Sequence, residues 1–127
     1  MPPRSPSACL TVNAISVTYV CKTLNIDNME IKENVSLLPY NTFGMDIRAD
    51  FFIKAGSRDD VAGAVSLAKE KGLPLLVLSG GSNMLITEDL HAVVLYMDTR
   101  GIETEGRDGT DTLVRVQAGE NWHGFVQ

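Results

Sequence analysis

Cysteine and histidine are scarce in this chain of 127 residues, which has two of each. The spacing of Cys9 and Cys21 matches no zinc or redox motif. A disulfide between them is one interpretation, and two thiols in a reducing compartment are the one we favour. His91 and His123 are too few and too isolated for a metal site, since structural zinc typically takes about four protein ligands and catalytic zinc about three. The sequence therefore predicts no metal centre.

Positive charge is also in deficit, because 11 lysines and arginines face 16 aspartates and glutamates, giving a net charge of −5. This balance argues against a surface for DNA or RNA and against binding to an anionic membrane. The apolar patch at residues 14–20 is too short and too polar to span a bilayer. A hydrophobic content of 44% is ordinary for a globular protein, and the length suits one modest domain.

Residues 1–28 differ in character from the rest of the chain. They are rich in serine, threonine, proline and asparagine, and they lack the uninterrupted apolar region and small-residue cleavage site of a signal peptide. We expect Met29 to be the physiological start and residues 1–28 to be a disordered or spurious extension.

The most informative segment is a glycine loop, defined here as residues 79–85, that follows an apolar run. Glycines at the end of a strand let a ligand approach the backbone, and successive N–H groups there can bind anionic oxygens. The loop is neither a Walker A sequence nor the dinucleotide fingerprint Gly-x-Gly-x-x-Gly. We interpret it as a loop for a phosphate or diphosphate, with an ordinary turn as the alternative.

The elements before this loop predict a βαβ unit. Residues 49–55 are typical of a strand, and Ser57 begins a capping box for a helix that ends at Gly72. Residues 74–78 then predict a strand covered on both faces. We expect the two strands to form a parallel pair, which puts the glycine loop at the carboxyl edge, where ligands bind in open α/β sheets.

Shorter elements follow the loop. Residues 92–97 and 112–117 predict strands, the second with one face in water, and residues 106–111 between them predict a hairpin loop. Asn121 can cap a helix that starts at Trp122. For the Trp122 side chain we favour a role as a packing anchor. For Arg100, a solvated loop charge is favoured over a phosphate ligand.

Four segments together resemble the UDP-N-acetylenolpyruvoylglucosamine reductases, also called UDP-N-acetylmuramate dehydrogenases. Each segment alone is weak, but their order and separations are specific, and the resemblance covers about residues 29–127. The segments are Leu38-Pro39-Tyr40-Asn41-Thr42-Phe43-Gly44, Leu78-Ser79-Gly80-Gly81-Ser82-Asn83-Met84-Leu85, Thr99-Arg100-Gly101-Ile102-Glu103 and Ala118-Gly119-Glu120-Asn121-Trp122-His123.

The resemblance implies an α+β (α/β-like) fold: the truncated, amino-terminal part of an FAD-binding domain of the p-cresol methylhydroxylase/vanillyl-alcohol oxidase type. In that family NADPH reduces the flavin, which then reduces the enolpyruvyl group of a UDP-sugar during peptidoglycan precursor synthesis in the cytoplasm. The residues that would lie along the FAD diphosphate are Ser79, Gly80, Gly81, Ser82, Asn83, Met84 and Leu85.

The resemblance assigns no catalytic residue to this chain, because the family's proton-donating serine and supporting glutamate and arginine come later than residue 127. Glu120 and His123 are interpreted as structural, while Tyr40 and Phe43 either approach the cofactor or seal the domain edge. We expect the chain alone to bind FAD weakly or not at all. The alternatives are another flavoprotein oxidase of this fold and an inactive nucleotide-binding fragment.

Overall fold

The computed structural model describes residues 29–127. The expectations about Cys9, Cys21 and the extension at residues 1–28 lie outside the described residues. Residues 29–127 contain a 3₁₀ turn at Leu38–Tyr40, two helices and six strands. The helices and strands are β1 (Ile31–Ser36), β2 (Arg48–Ala55), α1 (Arg58–Lys71), β3 (Leu75–Leu78), β4 (Leu90–Met97), β5 (Ile102–Asp108), β6 (Asp111–Val116) and α2 (Trp122–Val126).

Four strands form one sheet in the order β1-β2-β4-β3. Strand β1 is antiparallel to β2, whereas β2, β4 and β3 are mutually parallel. The predicted βαβ unit is present, but its two strands are not hydrogen-bonded neighbours. Strand β4 lies between them, so that Val94 pairs with Phe52 on one side and Leu76 on the other.

Helix α1 has the ends that the sequence predicts. The Ser57 side chain accepts a hydrogen bond from the Asp60 N–H, and the Asp60 carboxylate accepts one from the Ser57 N–H, so two N–H groups of the first turn are satisfied. Gly72 ends the helix at a φ of +66°, a left-handed conformation that favours glycine. The helix packs on the sheet around a core of Ile53, Ala55, Ala64, Ala68, Val93 and Leu95.

A second core covers the opposite face of the sheet and fixes the turn after β1. It consists of Leu37, Ile47, Ala49, Phe52, Leu78, Ile86 and Val94. The Tyr40 ring packs on this face with centroids 4.6 Å from Phe52 and 5.0 Å from Tyr96. Phe43, in contrast, is 54% exposed. The aromatic contacts therefore hold the segment around Tyr40 against the sheet beside the glycine loop.

Three expectations about strands need correction. Strand β3 is not covered on both faces, since Val77 is 53% exposed. The predicted hairpin loop at 106–111 is only the turn at Gly109 and Thr110, because the preceding polar residues form β5. Strands β5 and β6 make a separate two-stranded sheet, and Leu113 and Val114 show that β6 exposes both faces.

Among residues 29–127, no helix combines the length and apolar character needed to cross a membrane. The same residues contain no cluster of three or more histidine, cysteine or acidic side chains arranged to hold a metal ion.

Replacement of Ser57 by alanine tests the capping box. Loss of its side-chain acceptor leaves the Asp60 N–H unsatisfied, so we expect the free energy of unfolding in urea to fall by about 1 kcal/mol. Ser66→Ala, in the middle of the same helix, is the matched control and should not destabilise the protein. Equal destabilisation by the two variants would contradict the capping role.

Candidate functional site

The glycine loop leaves the sheet at the edge where the parallel strands end. It follows Leu78 of β3, and the carboxyl ends of β2 and β4 lie at the same edge, where the Asp98 N–H donates to the Ala55 carbonyl at 2.8 Å. Residues 79–85 belong to no helix or strand. Within residues 29–127, the N–H groups of residues 80–83 donate no hydrogen bond to the chain, which leaves them available to a ligand.

Gly81 anchors the loop to the turn that follows β1. Its φ is +65°, and a Cβ at this position would lie 2.1 Å from the Tyr40 carbonyl oxygen. The Thr42 N–H donates to the Gly81 carbonyl at 3.2 Å, which ties the two segments together. Only glycine satisfies both this conformation and this close approach of two backbones. Gly80 differs, because a Cβ there would meet no atom of the described chain within 4 Å.

The turn that supports Gly81 is itself held by Asn41. The Asn41 side-chain amide donates to the Leu37 carbonyl at 2.7 Å and to the Met45 carbonyl at 2.9 Å, and its oxygen accepts from the Met45 N–H at 3.0 Å. Residues 38–44, one of the four segments that resemble the reductases, thus hold the glycine loop in position.

A cleft of about 480 Å³ separates the glycine loop from the turn before α2. One wall comes from the loop, the other from the segment that joins β6 to α2, and Tyr96 at the end of β4 lies between them. The lining residues are Ser79, Gly80, Ser82, Tyr96, Arg100, Gly119, Glu120, Asn121, Trp122 and His123. Two motifs that are far apart in the sequence therefore face one space.

The second wall is held close to the segment after β4. The Gly119 N–H donates to the Thr99 carbonyl at 3.1 Å, and a Cβ on Gly119 would lie 2.6 Å from the Thr99 backbone. The Asn121 side chain accepts from the Gly124 N–H at 2.9 Å and so caps α2 as predicted. The close backbone contact at position 119 thus requires glycine, and the first turn of α2 requires a capping side chain such as asparagine at position 121.

Ion pairs connect the sheet edge to this wall. The Asp98 carboxylate lies 2.9 Å from the Arg100 guanidinium and 3.1 Å from the Lys54 ammonium. Hydrogen bonding from Arg100 first, and from Lys54 second, lowers the pKa of Asp98 below its ordinary value. The same contact with Asp98 raises the pKa of Arg100 and of Lys54. Arg100 is therefore an ion-paired residue on the rim of the cleft rather than a free loop charge.

The predicted FAD-loop residues occupy different environments. Ser79, Gly80 and Ser82 line the cleft, whereas the other four do not. Gly81 is turned toward Tyr40, Met84 packs against the core and Leu85 is 64% exposed. Asn83 is exposed to solvent.

The predicted binding residues do not include the second wall, although the sequence contains a signal for it. The segment at residues 119–123 belongs to one of the four motifs, but its pattern predicts structural roles for Glu120 and His123. Glu120 does make structural contacts and His123 does lie in the first turn of α2, yet both also line the cleft. Trp122, which is predicted to be a packing anchor, is 73% exposed in the part of the chain that the structure describes. Tyr96 carried no sequence signal.

Comparisons with known proteins agree with this architecture. A family model described as FAD binding domain matches residues 49–127. The chain is 46% identical over 100 residues to the UDP-N-acetylenolpyruvoylglucosamine reductase of Pseudomonas fluorescens strain Pf0-1, and the alignment covers 79% of this chain and 30% of the relative. It is 47% identical over 100 residues to the protein of that name from Pseudomonas aeruginosa, with the same coverage.

A more distant relative of the same name, from Chromobacterium violaceum, is 40% identical over 99 residues, or 78% of this chain and 29% of the relative. The chain thus spans about 30% of the length of the curated relatives it matches. The resemblance inferred from the four segments is confirmed, as is the fold class, since the parallel strands β2, β4 and β3 lie within the FAD-binding match except for Arg48.

Alanine should destabilise the protein at Gly81 and have almost no effect on its stability at Gly80. Gly81→Ala puts a Cβ against the Tyr40 carbonyl in a left-handed conformation, so we expect the free energy of unfolding to fall by at least about 2 kcal/mol. Gly80→Ala meets open space and should change it by less than about 0.5 kcal/mol. Urea unfolding measures both, and a tolerated Gly81→Ala would show that the backbone contact does not hold the loop.

The Asp98 ion pairs should make the effect of Asp98→Asn on protein stability depend on pH. The pKa of Asp98 is lower in the folded than in the unfolded protein. The Asp98 ion pairs therefore stabilise the fold at pH values above the unfolded-state pKa, and this stabilisation is lost as the pH falls through the folded-state pKa. The stability difference between the parent and Asp98→Asn should therefore be largest near about pH 6 and shrink toward about pH 3. Asp111→Asn, which removes a carboxylate without an ion pair in the described residues, is the control. A difference that does not vary with pH would contradict the ion-pair assignment.

Proposed function

Because the chain belongs to the FAD-binding domain family, we propose that its cleft holds the diphosphate of FAD. The observation that carries this proposal is that the N–H groups of residues 80–83 have no hydrogen-bond partner within residues 29–127, in a loop whose Gly80 and Ser82 line the cleft. The proposed contacts extend along the whole loop, Ser79, Gly80, Gly81, Ser82, Asn83, Met84 and Leu85.

The chemistry of the loop fits an anionic group. N–H groups and the hydroxyls of Ser79 and Ser82 donate hydrogen bonds, and the absence of a Cβ at Gly80 leaves the backbone accessible. The net charge of −5 provides no general attraction for a diphosphate, so backbone dipoles must supply most of the local stabilisation. FAD, when bound, supplies the hydride chemistry, while this chain binds and orients it.

For the reaction, we propose that the chain is the FAD-binding portion of a UDP-N-acetylenolpyruvoylglucosamine reductase. Such an enzyme uses NADPH to reduce the enolpyruvyl group of a UDP-sugar and yields UDP-N-acetylmuramate for peptidoglycan. We assign no catalytic residue to the described part of the chain. A cytoplasmic location is proposed with this reaction, because its two substrates are soluble nucleotides.

A second candidate is a nucleotide-binding unit without catalytic activity of its own. It is favoured by the exposed apolar surface of the β5–β6 hairpin and α2, where Ile102, Leu113 and Trp122 are 52%, 49% and 73% exposed. Surfaces of this kind are expected to pack against further protein. The isolated chain should therefore show no NADPH oxidation with the UDP-sugar substrate.

Ligand titration of the purified full chain tests the proposed binding. We expect FAD and ADP to bind with dissociation constants weaker than about 1 μM, and riboflavin, which lacks the diphosphate, to show no binding. Calorimetry at high protein concentration measures all three. Gly80→Ala should weaken FAD binding by about tenfold, or 1.4 kcal/mol, by crowding the diphosphate without unfolding the loop.

Two results would overturn the proposal. Binding of riboflavin as tight as that of FAD would place recognition on the flavin ring. An unchanged FAD affinity in Gly80→Ala would show that the diphosphate does not lie against the backbone at this position. Ser66→Ala is the control for a substitution remote from the cleft and should bind FAD like the parent.

A further inference from the structure

The Glu120 carboxylate connects the second wall of the cleft to the segment after β4. One oxygen accepts a hydrogen bond from the Gly101 N–H at 2.7 Å, and the other lies 3.7 Å from the Arg100 guanidinium. The Glu120 side chain is only 22% exposed, although it stands in a turn. Both carboxylate oxygens therefore have partners within the protein.

Backbone contacts around Glu120 fix the same two segments in one register. The Gln117 N–H donates to the Gly101 carbonyl at 2.9 Å, and the Glu120 N–H donates to the Gln117 carbonyl at 3.0 Å. With the bond from Gly119 to Thr99, these contacts hold the turn before α2 directly against the end of β4. The position of Trp122 in the cleft follows from this attachment.

Charge makes the placement of Glu120 informative. It is the carboxylate among the residues that line the cleft, and an unpaired negative charge there would repel a diphosphate. The Gly101 N–H and the Arg100 guanidinium instead bind it, and Arg100 is held in turn by Asp98. Because both oxygens of the carboxylate are bound in this way, Glu120 can hold the wall in place without presenting an unpaired negative charge to the ligand.

We propose that Glu120 is a positioning residue, which sets the wall formed by residues 119–123 at its distance from the glycine loop and does not itself bind the cofactor. Arg100 orients Glu120 in this arrangement. The expected effect on FAD rests on the proposed function, whereas the effect on the wall does not.

Trp122 offers a direct readout, because it is the one tryptophan of the whole chain and lies in this wall. The test measures its emission anisotropy without flavin, and FAD affinity separately, in the full chain. Glu120→Ala should lower the anisotropy and weaken FAD binding by about tenfold, through loss of a hydrogen bond to a charged group. Glu120→Gln keeps an acceptor for the Gly101 N–H and should stay within about twofold of the parent.

Glu103→Ala is the matched control, since Glu103 is an exposed glutamate of β5 without an ion pair or side-chain hydrogen bond in residues 29–127. It should leave both readouts unchanged. Weaker FAD binding by Glu120→Ala at unchanged anisotropy would overturn the proposal, because Glu120 would then act on the cofactor. Equal losses in Glu120→Gln and Glu120→Ala would also overturn it. If no variant and no parent binds FAD while the anisotropy responds as expected, the proposed function fails and the positioning role stands.

Discussion

The approach of the Gly81 backbone to the backbone of Tyr40 is the contact on which the site depends. A Cβ would lie 2.1 Å from the Tyr40 carbonyl oxygen, so the two chain segments meet as backbones. Two further sets of contacts hold Tyr40 in place. Its ring packs on Phe52 and Tyr96, and the hydrogen bonds of the neighbouring Asn41 side chain fix the turn. The loop is thereby held outside the sheet ladder, with the N–H groups of residues 80–83 free of partners in the described chain.

The opposite wall uses the same device, since Gly119 meets the Thr99 backbone where a Cβ would lie at 2.6 Å. Close backbone contacts therefore hold both walls of the cleft. This arrangement suits an acidic protein, in which oriented N–H groups must substitute for a surplus of positive side chains. Glu120 and Arg100 then adjust the wall through one paired carboxylate.

Local signals in the sequence were sufficient for helix α1 and for the position of the glycine loop, because the capping box at Ser57 and the stop at Gly72 act within one or two turns. Strand order was not predictable in this way, since the insertion of β4 between β2 and β3 depends on long-range pairing. Strand β5 was missed because its residues, from Ile102 to Asp108, are largely polar. The exposure of Trp122 reflects tertiary packing that no local pattern encodes.

Amide chemical shifts provide the most direct measurement of the central claim. Full chain labelled with ¹⁵N would be titrated with FAD, and the change in each backbone N–H resonance followed by NMR. The account predicts that the largest changes fall on Gly80, Gly81, Ser82 and Asn83, because their N–H groups would bind the diphosphate. Changes confined to other segments, with the resonances of these four residues unmoved at saturating FAD, would contradict it.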